Sequence, residues 1–153
     1  MPYNFSLPAI ALVVGMSVGF GAPAFAVDTE TTTTTPKSAY ETAQNQIEAK
    51  RFKDAIRTLQ QLVADEPNNA DAWNLYAFAS RKNGNFANAG KYYTIALKLD
   101  PKHLGALEYQ GELFLDIGEP DKAMENLVAI KSICGTCSEL RALARAIRKA
   151  ESS

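Results

Sequence analysis

The sequence predicts an all-α protein, a helical-hairpin solenoid of three repeats followed by a C-terminal capping helix. Three observations predict it. First, residues recur at a period of 34, most clearly between Ala70 and His103 and again one step back and one step forward. Second, each period holds two segments of helical apolar spacing separated by a short polar turn. Third, small residues recur where two such helices would cross: Ala43, Ala77 and Gly111 stand one period apart, as do Ala55, Ala89 and Ala123. A helical hairpin is too thin to shelter its own apolar face, so about three must stack to make one continuous core.

From the N-terminus, residues 1–26 carry no charged side chain. An apolar run from Leu7 to Phe20 leads to Ala24-Phe25-Ala26, a small-residue cleavage pattern, so this stretch is expected to be a secretory signal peptide cut before Val27. Its first residues lack the usual Lys or Arg, which leaves an uncleaved anchor as the alternative; Pro8, Pro23 and the glycines argue against a span. Residues 27–35, with threonine from Thr31 to Thr35, have no helical period and little to bury, and are expected to form a disordered linker. The repeats then occupy 36–69, 70–103 and 104–137.

The middle repeat is the most regular. Its helices are predicted over Ala70 to Lys82 and Phe86 to Leu99, with Asn83, Gly84 and Asn85 as a turn that tolerates positive φ. Trp73, Tyr76, Tyr92, Tyr93 and Leu97 supply bulk around Ala77, Ala89 and Ala96, and Asp100-Pro101 ends the second helix. The first repeat turns at Lys50-Arg51 without a glycine. The third keeps Gly118 and starts its second helix at Pro120, where a missing N–H is tolerated. In 138–153, Leu140, Leu143, Ala144 and Ile147 make an apolar stripe on a final helix, expected to cover the last repeat and show Arg141, Arg145 and Arg148 to water.

Trp73, Ala77, Gly84, Phe86, Ala89, Tyr93, Ala96 and Pro101 fall at spacings that resemble the tetratricopeptide repeat. The resemblance implies a binding scaffold in which the first helix of each repeat lines a concave groove for a peptide or protein segment. By position, that groove would present Tyr40 and Gln44 from the first repeat, Asn74, Phe78, Arg81 and Lys82 from the second, and Glu108, Glu112 and Asp116 from the third. The lysine–asparagine clamp of chaperone-binding members has no counterpart at these positions. Tyr40 and Phe78 read as rigid anchors. The three acids should favour a basic segment, and reversing Glu108 and Glu112 to Lys is expected to leave stability unchanged. The stretch from Ile133 to Ile147 is similar to the ends of small exported bacterial members of the family.

Cys134-Gly135-Thr136-Cys137 is the one chemically pointed motif. No strand is predicted around it to support a thioredoxin-like site, no histidine follows it for haem attachment, and no second pair completes a zinc site. A local disulfide between Cys134 and Cys137 is the expectation for an exported protein, with a redox dithiol and a metal pair as alternatives. His103 and Asp100 sit in an inter-repeat turn with no nucleophile beside them. No catalytic residue, cofactor site or metal site is predicted. With 16 basic and 17 acidic residues and a net charge of −1, the chain has no footprint for nucleic acid or an anionic membrane. The expectation is a non-enzymatic adaptor, periplasmic or secreted, that binds a protein or peptide segment of basic character and does not stay in the membrane after cleavage. A thiol–disulfide accessory protein and an end-to-end self-assembling array are the alternatives.

Overall fold

The computed structural model describes residues 38–152, and among them it shows seven α-helices and no strand. They are α1 (Ala39–Glu48), α2 (Phe52–Asp65), α3 (Ala70–Lys82), α4 (Phe86–Leu99), α5 (Leu104–Asp116), α6 (Pro120–Cys134) and α7 (Ser138–Glu151). The expected leader at 1–26 and linker at 27–35 lie outside the described residues. The helices pair as three hairpins, α1–α2, α3–α4 and α5–α6, and α7 follows.

Local chemistry sets the helix ends. Ser38 and Glu41 form a reciprocal capping box at α1, each side chain accepting from the other's backbone N–H at 3.1 Å. Asn69 caps α3 by accepting from Ala72 N–H at 2.9 Å, and the Trp73 indole N–H donates back to the Pro67 carbonyl at 2.8 Å. The three hairpin turns share one geometry. Lys50, Gly84 and Gly118, one period apart, have φ of 57°, 82° and 77°. Their amides donate to the carbonyls of Ile47, Arg81 and Leu115, and the next amides reach Gln46, Ser80 and Phe114, closing each helix with the same pair of bonds. A lysine therefore occupies the glycine position of the first repeat, at a conformational cost of about 1–2 kcal/mol.

Packing follows the 34-residue columns. Ala43, Ala55, Ala72, Ala77, Ala89, Ala96, Ala106 and Ala123 are fully buried, as are Tyr93 and Ile130. Three apolar clusters run along the array: the first joins α1, α2 and α3, the second α3, α4 and α5, and the third α5, α6 and α7. Trp73, Tyr76 and Tyr92 stack on the α3–α4 hairpin with ring centroids 4.1–6.2 Å apart. The first helices α1, α3, α5 and α7 each touch the next, whereas α2, α4 and α6 do not touch one another. That asymmetry puts the first helices on the inner side of the stack.

The terminal helix does more than cover α6. It enters from the end of α6 as α3 and α5 enter from α2 and α4, and so takes the place of the first helix of a fourth repeat, against both α5 and α6. Leu143, fully buried, lands on Gly111 of α5: a Cβ built at Gly111 would stand 2.7 Å from both Leu143 methyl carbons. The third member of the Ala43–Ala77–Gly111 column is thus a glycine because α7 approaches there. Gly111→Ala is expected to lower stability by about 1–3 kcal/mol in urea unfolding and to speed amide exchange throughout α7. An unchanged midpoint and unchanged exchange would show that Leu143 yields freely.

Candidate binding groove

The inner surface of α1, α3, α5 and α7 carries the residues expected to form the groove. From α1, Gln44 is exposed and Tyr40 is half-buried beside the first apolar cluster. Burial raises the Tyr40 phenol pKa, and the Asp71 carboxylate adds to the rise. From α3, Lys82 is exposed and Phe78 is half-buried against Tyr109 of the next repeat, ring centroids 4.8 Å apart. The Lys82 ammonium lies 5.3 Å from the Phe78 ring centre, which holds that ring under a cation. Asn74 is buried, with its amide nitrogen close to Gly105 of α5 and its carbonyl oxygen without a hydrogen-bond partner.

Arg81 sits differently from the position expected of a groove residue. Its side chain is only 3% exposed and crosses to α5, where the guanidinium pairs with Glu112 and, at 2.8 Å, with Asp116. Burial by itself would lower the Arg81 pKa, but Tyr93, Glu112 and Asp116 raise it above its ordinary value. Arg81 is therefore a tie between the second and third repeats, with its charge answered inside the chain. Reversing Glu112 to Lys would remove one of the two partners of that buried cation and set a second cation beside it, and losing a hydrogen-bonded charge partner costs about 1.5–3 kcal/mol. The two acids expected to be interchangeable with Lys at no cost to stability are consequently unequal: Glu112 is structural and Glu108 is not.

Glu108 makes no ion pair among the described residues and is half-buried. Burial pushes its carboxyl up to about 7, the carboxylates of Glu112 and Glu139 push the same way, and Arg145 and Arg81 oppose them. At the C-terminal ends of α3, α5 and α7, a cleft of 340 Å³ is lined by Arg81, Lys82, Glu112, Asp116, Ala146 and Lys149. Sequence reasoning named the α3 and α5 residues of this region and missed those of α7. One further 34-residue step from Gly105, Glu112 and Leu115 leads to Glu139, Ala146 and Lys149, so the signal was present.

His103 is a helix cap. Its Nδ1 accepts from Ala106 N–H at 3.1 Å, so Nε2 carries the proton that faces Asp71 Oδ1 at 3.0 Å, linking α5 to the start of α3. Asp100 accepts from Lys102 N–H within its own turn. Cys134 ends α6 and Cys137 precedes α7, with the two sulfurs placed at bonding distance and Cα atoms 6.0 Å apart. Among the described residues no group of His, Cys, Asp and Glu is arranged to hold a metal ion, and no helix is long and apolar enough to cross a membrane.

Antiparallel hairpins stacked with their first helices side by side define a helical-repeat solenoid, the architecture of protein-interaction scaffolds. The chain belongs to the tetratricopeptide repeat family, whose profile matches residues 40–103 and 79–129. A search of curated proteins gives no match. Among solved structures the chain is similar to the first repeat domain of Spaghetti (RPAP3) bound to the HSP90 peptide SRMEEVD, at 17% identity and TM-score 0.66, covering 75% of this chain and 91% of that one. It is also similar to SycD, the type III secretion translocator chaperone of Yersinia enterocolitica, at 17% identity and TM-score 0.67, covering 74% and 81%. PcrH in complex with the chaperone-binding region of PopD matches at 21% identity and TM-score 0.64, covering 74% and 86%. At these identities the likeness concerns the fold.

The raised Glu108 pKa has a definite sign for stability. The folded chain holds that proton up to about 7, against an ordinary value of 4.5, so ionising Glu108 works against folding. Below 4.5 the two states are protonated alike and the effect vanishes; as pH rises to about 7 stability is lost, and above that the deficit stays constant. Glu108→Gln should therefore match the wild type on the acid side of this window and exceed it on the alkaline side in urea unfolding. Equal stabilities at every pH would remove the charge penalty, mainly one of burial, assigned to Glu108.

Proposed function

We propose that this chain is a non-enzymatic adaptor of an exported compartment, the periplasm in a bacterium, that holds a protein segment in the groove of α1, α3, α5 and α7. The observation that carries the reading is Glu108, a half-buried groove carboxyl next to two other carboxylates. A Lys or Arg from a bound segment would supply the missing countercharge there. Tyr40 and Phe78 offer apolar contact along the same surface, and the cleft beside Lys82 gives room for a side chain. The peptide-bound neighbours support a segment as the kind of ligand.

Binding of a basic side chain would favour the ionised form of Glu108 and release its proton. Affinity should then rise with pH through about 7, the value to which burial pushes this group. An arrayed peptide library probed with the wild type and with Glu108→Gln tests this. Capture of Lys- or Arg-containing peptides, stronger on the alkaline side and lost in the variant, is the expected result. Equal capture by both proteins, or a preference for acidic peptides, overturns the groove assignment.

Export rests on the apolar leader and its Ala24-Phe25-Ala26 site. In that compartment Cys134 and Cys137 would close as a structural disulfide, holding α6 to α7. The four-residue loop limits the gain to about 2 kcal/mol. Intact mass of the chain from its native compartment should show Val27 as the first residue and two hydrogens fewer than the dithiol form. An intact Met1 rejects the cleavage, and two alkylatable thiols reject the disulfide.

A further inference from the structure

The second helices of the second and third repeats carry two surfaces that complement each other. The first is a slot of 560 Å³ between α4 and the end of α5, with Phe86, Ile95, Phe114 and Ile117 among its walls. Phe86 is 39% exposed and Ile117 45%, unusual openness for large apolar side chains. Gly90 lines the slot without a side chain to fill it, and a Cβ built there would stand 3.6 Å from Leu113, in ordinary contact. Lys91 and Lys98 rise on the α4 rim two helical turns apart, and neither makes an ion pair or hydrogen bond among the described residues.

The second surface is a ridge on α6. Asp121, Met124, Glu125 and Val128 follow one another at i, i+3, i+4 and i+7, which is one face of a helix. Met124 is 43% exposed and Val128 62%, and neither Asp121 nor Glu125 is paired among the described residues. The repeat does not require apolar bulk there. One and two periods earlier, the position of Val128 is held by the polar Thr94 and Gln60; that of Met124 is held by Gly90 and, in the first repeat, by an isoleucine, Ile56, that packs on the core. Likewise the position of Ile95 in the slot is held by the polar Gln61 in the first repeat.

The chain thus carries an apolar slot with a cationic rim on α4 and an apolar ridge with anionic flanks on α6, at positions one 34-residue period apart: Gly90, Lys91 and Thr94 answer to Met124, Glu125 and Val128. We propose that the chain forms a two-fold dimer through these surfaces, the α6 ridge of each copy seated in the α4–α5 slot of the other. A two-fold axis uses each surface once per chain and closes the assembly at two copies. Burying Met124 and Val128 against Phe86 and Ile117 supplies the apolar contact, and Lys91 and Lys98 meet Asp121 and Glu125 at the edges. The lateral contact leaves the α1–α3–α5–α7 groove of both copies open, so it is independent of what the groove binds. An anionic lipid surface is a poorer occupant, since Asp121 and Glu125 would be pressed toward its headgroups.

The test is sedimentation velocity on the full chain over a concentration series, with circular dichroism as the check on folding. The wild type should show a monomer–dimer equilibrium without larger species. Lys91→Glu with Lys98→Glu should weaken the dimer at least about a hundredfold, and so should Asp121→Lys with Glu125→Lys, because each makes both contacts like-charged. Mixing the two variants should restore a one-to-one heterodimer, since both ridge-to-slot contacts are then oppositely charged. A monomeric wild type, variants that still dimerise alone, or folded variants that stay apart when mixed would each overturn the proposal. So would a monomer that binds anionic vesicles through Lys91 and Lys98, which would assign the face to lipid.

Discussion

The structure depends on how closely successive first helices can approach. A hairpin of two helices leaves apolar surface on both flanks, and only the next hairpin can cover it. Alanine at Ala43 and Ala77, and no side chain at all at Gly111, set that spacing on the inner side, while Ala55, Ala89 and Ala123 set the spacing within each hairpin. Large groups fill what remains: Leu59 and Tyr93, a period apart, are fully buried among these small ones. The core is accordingly a repeated small–large alternation that each hairpin shares with its neighbours.

Polar ties are laid over that apolar stack. Arg81 crosses from α3 to Glu112 and Asp116 on α5, and His103 reaches from the cap of α5 to Asp71 at the start of α3. Both link the second repeat to the third, at opposite ends of the same two helices. Burying the Arg81 guanidinium has a desolvation penalty that its partners offset, so the network fixes how the two helices align more than it adds stability. Ordering the inner surface in this way leaves Glu108 as the groove carboxyl for which burial and neighbouring carboxylates outweigh the nearby arginines.

The repeat columns made the architecture legible from the sequence. Spacing together with the turn and proline signals located α3 and α4, placed Pro120 in the first turn of α6, and identified the small residues Ala77, Ala89 and Ala96 that are buried there. Lys50 was harder to read, because nothing in a lysine announces a left-handed backbone; only its alignment with Gly84 and Gly118 does. Arg81 was harder still. Its partners lie 31 and 35 residues away, and whether a cation faces solvent or reaches across to the next helix is a matter of side-chain direction that spacing does not encode. For the same reason the groove residues were legible as a set of positions and not as a set of available groups.

Arg145 lies one period beyond Gly111 and continues the Ala43–Ala77–Gly111 column into α7. Where every earlier member offers at most a methyl group, α7 offers a long, exposed guanidinium. Another hairpin arriving at that end would find its seat occupied by a hydrated charge.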